Sequence, residues 1–257
     1  MAHRYEWGGR CGTINAALFP PPMASDTVLL ESCHDKTFIE ARITYNSHNT
    51  NNGDIVPAIV LAHPYGPLGG NNRNNVIMAL HEFFVTKGFI TASINFRGCG
   101  RSKGRTSWTG IPERGDYQAV IDHLLEASKY PKPSHLIISG YSFGSMIAAS
   151  MAQPQDVSCS YLLISYPLNV QWALATIKSS FFTSKVDELL ASRQAYIIYG
   201  GHDQFTGMGS YQAWISKKRQ DNKQLEATLV PEADHFWFGM EDTLVEKVNS
   251  WISRILV

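Results

Sequence analysis

Hydrophobic and polar positions change their period repeatedly along this chain, and each change predicts an element. Residues 28–45 read as two strands around a turn at Cys33-His34-Asp35-Lys36, with alternation in the stretch Thr37 to Thr44, a pattern that suits an antiparallel hairpin at a sheet edge. Residues 46–54 are rich in Asn and Gly and predict a loop, and 55–62 is an unbroken apolar run, as expected of a strand buried on both faces. Helical and extended patterns then alternate. Helices are predicted near 75–87, closed by Gly88, and at 113–128, 145–151, 210–219 and 241–255; strands are predicted at 89–96, 135–139, 160–165, 195–199 and 224–230.

Strands separated by helices imply parallel βαβ units, so the predicted class is α/β: a mostly parallel sheet covered by helices on both faces, with an antiparallel N-terminal edge. Residues 167–194 break the rhythm with a long stretch of helical character, read as a short helical lid over the carboxyl ends of the strands. No low-complexity linker interrupts the 257 residues, and a single domain spanning 1–257 is expected.

Composition narrows the function classes. The 22 basic and 22 acidic side chains cancel, and the one dense basic cluster, Lys217-Lys218-Arg219, is followed at once by Asp221, so no nucleic-acid partner is expected. At 44% hydrophobic and 17% charged residues the chain is neither disordered nor a coiled coil. The longest uncharged runs carry Pro, Gly, Asn and Ser and read as strands and loops, so no membrane span is expected; residues 1–10 lack an apolar signal segment, and the expected location is cytoplasmic. The four cysteines are far apart with no CxxC spacing and read as free thiols, Cys99 the most exposed because glycines flank it. No spacing for a closed zinc site and no glycine-rich phosphate loop is present, so neither metal nor cofactor is predicted, and the partner expected is a small-molecule substrate. Oligomeric state is not legible in the pattern.

The chemistry gathers around Gly140-Tyr141-Ser142-Phe143-Gly144, a G-x-S-x-G motif entered by a strand and left by a helix of small residues. In that context Ser142 would sit on a sharp, strained turn with its hydroxyl exposed, and the glycines would leave room for neighbouring backbone. A serine needs a base, and the base needs an acid to orient it. Asp203, just past the strand at 195–199, and His235, just past the strand at 224–230, appear in the order this arrangement requires; His202 and Asp234 are the neighbours that could be mistaken for them. The backbone N–H of Phe143 would give one oxyanion donor. In the loop His63-Pro64-Tyr65-Gly66 proline has no N–H, so Tyr65 is the better second donor and Gly66 the fallback. Large side chains crowd the same segments: Tyr141, Trp172, Phe181, Phe182 and Trp237 are the candidate pocket walls, weighed against plain core packing, while Trp108 would line the entrance or cover the helix near Glu113.

These motifs resemble the α/β-hydrolase superfamily, and within it the single-domain serine hydrolases grouped with dipeptidyl aminopeptidases and acylaminoacyl peptidases. The matching pieces are His63-Pro64 with Gly69-Gly70, the loop Asn95-Phe96-Arg97-Gly98-Cys99-Gly100-Arg101-Ser102, the serine motif, the Asp203 loop and His235. The resemblance implies a structural role for Arg97, Gly98 and Gly100, and it departs from the family's His-Pro-His-Pro form at Tyr65. The implied activity is acyl transfer to water from an ester, thioester or amide of an apolar acyl substrate. Two other uses of the scaffold stay open at this point: a biosynthetic enzyme for lactonisation, offloading or carbon–carbon bond formation, and a non-catalytic ligand-binding protein.

Overall fold

The computed structural model describes residues 23–46 and 56–256. The loop expected at 46–54, the segment 1–10 and Cys11 lie wholly or almost wholly outside them. Among the described residues eight strands form one sheet: β1 (Met23–Glu31), β2 (Phe38–Asn46), β3 (Val56–Ala62), β4 (Ile90–Ile94), β5 (Pro133–Tyr141), β6 (Ser158–Ile164), β7 (Ala195–His202) and β8 (Leu225–Asp234). Their order across the sheet is β1-β2-β4-β3-β5-β6-β7-β8. β2 runs antiparallel to both β1 and β4, and every later pair is parallel, so the antiparallel character is confined to the N-terminal edge. β1 starts at Met23, ahead of the predicted 28, because its alternation is only between exposed and half-buried positions and gives a weak apolar signal.

The helices are α1 (Asn75–Thr86), α2 (Ile111–Glu126), α3 (Phe143–Ala149), α4 (Gln171–Ala175), α5 (Ser179–Ser192), α6 (Met208–Arg219) and α7 (Glu241–Ile255). They cover both faces. Along β3, Ala58, Val60 and Ala62 face a core layer shared with α2, α3, α5 and α6, while Ile59 and Leu61 face a second layer built with α1 and α7. That two-sided burial is why the strand reads as a continuous apolar run. Removing the side chain of Ile59 or Leu61 would cost about 2–5 kcal/mol. α1 begins where the Asn74 side chain accepts from the Val76 N–H at 3.1 Å, and the chain leaves it through Gly88 at φ +82°.

The stretch at 167–194 divides in two. α5 buries Phe182, Val186, Leu189 and Leu190 and is the ordinary crossover helix between β6 and β7. Only the short piece before it, around α4, reaches the carboxyl ends of the strands. The lid expectation is therefore corrected for α5, whose apolar face is spent on the core. Cys99 is corrected as well. Gly98 and Gly100 at φ +78° and +54° turn the chain inward, Cys99 is buried, and a Cβ on Gly66 would lie 2.5 Å from its Sγ; burial pushes the thiol up to about 11. The exposed thiol among the described residues is Cys33.

Arg97 ties the N-terminal edge to the rest. Its guanidinium donates to Asp116 at 3.0 and 2.6 Å, to Asp35 at 2.8 and 3.2 Å and to Ser32 at 3.1 Å, so one buried cation joins the β1–β2 turn, the loop after β4 and α2. Breaking such a pair from one side strands a buried charge, which costs about 3–5 kcal/mol. No helix among the described residues is long and apolar enough to cross a membrane.

Candidate active site

Ser142 lies between β5 and α3 at φ +55° and ψ −120°, a backbone region that L-residues other than glycine rarely occupy. Two glycines make the turn possible. A Cβ on Gly140 would lie 2.2 Å from the carbonyl group of Gly144, and a Cβ on Gly144 would lie 2.3 Å from the carbonyl oxygen of Ala62. The turn is held by the Ser142 N–H donating to Ile164 (2.9 Å) and by the Ser145 hydroxyl donating to the Ser142 carbonyl (2.6 Å).

The loops after β7 and β8 deliver Asp203 and His235 to this serine. His235 Nε2 lies 3.0 Å from Ser142 Oγ, and His235 Nδ1 lies 2.8 Å from Asp203 Oδ2. All three residues are buried. An ionised carboxylate can only accept, so Nδ1 carries the proton and Nε2 is free to accept from the serine hydroxyl. The second oxygen of Asp203 accepts from the Phe205 and Thr206 N–H groups at 2.8 and 2.9 Å, which fixes the carboxylate in place. His235 is fixed through its own backbone, since the Tyr141 hydroxyl donates to its carbonyl at 2.6 Å, and the Phe205 ring packs edge-on at 4.5 Å. Asp234 points elsewhere: Oδ1 accepts from the Phe236 and Trp237 N–H groups at 2.8 and 3.0 Å, which makes it a turn former. His202 is exposed at the end of β7.

The Phe143 N–H opens α3, and Tyr65 precedes a single 3-10 turn (Gly66–Leu68) on the facing loop; the two rings meet at 5.3 Å. That loop doubles back so closely that a Cβ on Gly70 would lie 2.1 Å from the Pro64 oxygen. His63 braces its base. Nε2 accepts from the Phe96 N–H at 3.0 Å and Nδ1 donates to the Pro64 carbonyl at 2.6 Å, while burial holds the imidazole down to about 4, so it is neutral and links the ends of β3 and β4. Among the described residues no group of His, Cys, Asp and Glu could hold a metal ion.

Ser142 and His235 open into a cavity of about 630 Å³. Its other walls are Pro64, Tyr65, Leu68, Gly69, Gly70, Asn74, Trp108, Tyr141, Val170, Ala173, Leu174, Phe205, Phe236 and Phe238, and none of these carries a charge. Of the five residues singled out as pocket walls, Tyr141 lines the cavity and the other four do not. Phe182 is core, with its ring packed on Gly110; Phe181 stands edge-on to Phe182 with the Arg114 guanidinium 5.0 Å from its ring. Trp237 is buried in the layer beneath α7 and donates to Ser165 Oγ at 2.9 Å. Trp172, on α4, is 69% exposed and does not line the cavity, whereas its neighbours Ala173 and Leu174 do. Trp108 belongs to the cavity mouth. Phe205, which sequence reasoning missed, carried one signal: its place two residues after Asp203 on the same loop.

A family model described as X-Pro dipeptidyl-peptidase (S15 family) matches residues 35–167, just over half of the chain. The chain is 24% identical over 201 residues to the uncharacterized protein RP471 of Rickettsia prowazekii, covering 77% of this chain and 79% of that one. Among solved structures it is similar to an α/β serine hydrolase homologue from Coxiella burnetii, with a TM-score of 0.67 at 23% identity, covering 86% of this chain and 94% of that one. It is also similar to the esterase Pf2001 of Pyrococcus furiosus, with a TM-score of 0.70 at 15% identity, covering 90% and 93% of the two chains. The sheet order, the helices on both faces and the match over 35–167 together make this chain an α/β-hydrolase-fold protein that belongs to the S15 family of X-Pro dipeptidyl-peptidases.

Proposed function

We propose that this hydrolase cleaves esters of small apolar acyl groups through an acyl-enzyme on Ser142. The observation that carries the reading is the continuous chain from Ser142 Oγ to His235 Nε2 (3.0 Å) and from His235 Nδ1 to Asp203 Oδ2 (2.8 Å), opening on an uncharged cavity. Ser142 Oγ attacks the carbonyl carbon as its proton passes to His235 Nε2, and Asp203 steadies the imidazolium that forms. The negative charge on the carbonyl oxygen is met by the N–H groups of Phe143 and Tyr65; one such donor is worth roughly 100- to 1000-fold in rate. His235 then protonates the departing alkoxide. Water, deprotonated by the same imidazole, releases the acid and restores the serine.

The lining of the cavity argues for an ester over an X-Pro dipeptide. A dipeptidyl-peptidase must hold the free α-ammonium of its substrate, and a buried ammonium needs a carboxylate or a set of acceptors. No Asp or Glu lines this cavity among the described residues, whereas the aromatic and aliphatic walls reward an apolar group with about 25 cal/mol per Å² buried.

The test is intact mass after treatment with a fluorophosphonate, on the native protein and on Ser142→Ala, followed by turnover of p-nitrophenyl esters and of an X-Pro p-nitroanilide. A single adduct absent from the variant, with ester turnover and none on the dipeptide, is the expected result. Absence of an adduct on the native protein sinks the nucleophile assignment, and preference for the dipeptide sinks the substrate class.

A further inference from the structure

A second cavity, of about 400 Å³, lies on the other side of the segment 69–74 from the catalytic one and shares no lining residue with it. Its chemistry is opposite. Arg42 on β2, Arg73 before α1 and Arg101 in the loop after β4 converge on it, and the one acid in its lining is Glu40. That carboxylate is already committed: Oε2 accepts from Asn95 Nδ2 at 2.7 Å and from the Arg101 N–H at 2.8 Å, and Oε1 stands 4.0 Å from Arg101 Nε. The lining thus keeps a surplus of two positive charges.

Two of the guanidiniums have no oxygen acceptor among the described residues. Among those residues the Arg42 guanidinium donates to the thioether of Met78, at 3.6 Å, and its buried Nε has no hydrogen-bond partner. Neither Arg42 nor Arg73 has a carboxylate within ion-pair distance among those residues. Burial, together with the like charge of Arg73, pushes Arg42 below its ordinary value, against the opposing pull of Glu82. Leaving a half-buried guanidinium without an acceptor beside a second cation is costly unless an anion completes the site. The rest of the lining is rigid. Asn95 Oδ1 accepts from the Asn72 N–H at 2.8 Å, and Asn71 Oδ1 accepts from the Arg73 N–H at 2.8 Å, so Arg73 and Asn72 are presented from a braced turn.

Planar forks that can each give two parallel N–H bonds match the oxygens of a phosphoryl group, and a dianion matches the surplus charge. We propose that the cleft formed by Arg42, Arg73 and Arg101 binds the phosphoryl group of a phosphorylated small molecule, at a site separate from Ser142.

The experiment is titration of the full chain with inorganic phosphate and, separately, with glycerol 3-phosphate, followed by calorimetry and by thermal shift, with glycerol and matched chloride as controls. Native protein and Ser142→Ala should bind alike and saturably, because the site does not involve the serine. Arg73→Gln, at an exposed position, and Arg42→Gln should each weaken binding at least tenfold. Tighter binding of glycerol 3-phosphate than of phosphate is the expected result for a phosphorylated small molecule, and equal or weaker binding would overturn that ligand class in favour of the free anion. No saturable binding by the native protein, or binding unchanged in both arginine variants, overturns the proposal. Loss of binding in Ser142→Ala overturns the claim of a separate site while leaving the hydrolase reading untouched.

Discussion

The Tyr141 hydroxyl donates a 2.6 Å hydrogen bond to the backbone carbonyl of His235, so the residue before the serine holds the residue that faces it. β5 and the loop after β8 are thereby linked directly across the site. Tyr141→Phe keeps the ring and removes the bond, leaving a buried carbonyl unpaired. The variant should lose about 1–3 kcal/mol of stability. Its kcat should fall several-fold with KM little changed, because small displacements of a base are felt in the transition state. Equal kcat in the variant and the native protein would show that His235 is positioned without this bond.

Asp203 and Asp234 are separated by their contacts. Asp203→Asn removes the acceptor that fixes the His235 tautomer, and turnover should fall roughly ten-thousand-fold. In Asp234→Asn the amide oxygen still accepts from the Phe236 and Trp237 N–H groups, and turnover should change little. Steady-state kinetics of the two variants side by side reads the difference, and the reverse ranking would overturn the assignment of the acid.

Gly144→Ala should not give a folded protein. The new methyl group would sit 2.3 Å from the Ala62 oxygen and 2.7 Å from the His63 oxygen, and both obstacles are backbone. A loss above about 4 kcal/mol is expected. Far-ultraviolet circular dichroism and solubility test it, and a native-like melt would contradict the packing of α3 on β3.

Acid should weaken the fold through histidines held neutral. Burial pushes His63 down to about 4 and His81 down to about 3, from an unfolded value of 6.5. Between those values the unfolded chain binds protons that the native one refuses, so stability is complete above 6.5 and declines as pH falls toward 4 and below. His81→Leu removes one such group, together with a ring nitrogen that has no partner among the described residues. Its stability measured from pH 7.5 to 4.5 should decline less steeply than that of the native protein, by up to about 1.4 kcal/mol per pH unit. Parallel curves would show that His81 takes up its proton at the same pH in the folded and the unfolded chain.

Trp108 is 74% exposed yet lines the mouth of the catalytic cavity, which is where an acyl chain would cover it. Trp108→Ala should raise KM for butyryl and longer esters about tenfold while leaving acetyl esters nearly unaffected, since each buried methylene is worth about 0.8 kcal/mol. An equal effect on both chain lengths would place the acyl group elsewhere.

The parallel strands and the order Ser142, Asp203, His235 were legible because burial on both faces and the G-x-S-x-G turn leave local marks. What escaped depends on direction in space. Phe182 and Trp237 carry the same sequence signal as a cavity wall, but one fills the space over Gly110 and the other the layer under α7. The cleft of Arg42, Arg73 and Arg101 draws on β2, the start of α1 and the loop after β4, three segments that no local pattern connects. Cys99 shows the same limit, since flanking glycines free the chain to turn either way.

The sheet order carries a consequence for how the chain is assembled during synthesis. The β1–β2 hairpin leaves the ribosome before the parallel core, yet β2 lies against β4, with Ala41 opposite Ile94, and its turn is clamped by Arg97, which in turn needs Asp116. While the nascent chain is shorter than about this length the hairpin has no surface to dock on, and one apolar face of it stays in water. This hairpin, made ahead of the parallel core, is thus among the last elements to be secured, and the interval before α2 emerges is when this protein would depend most on a holding chaperone.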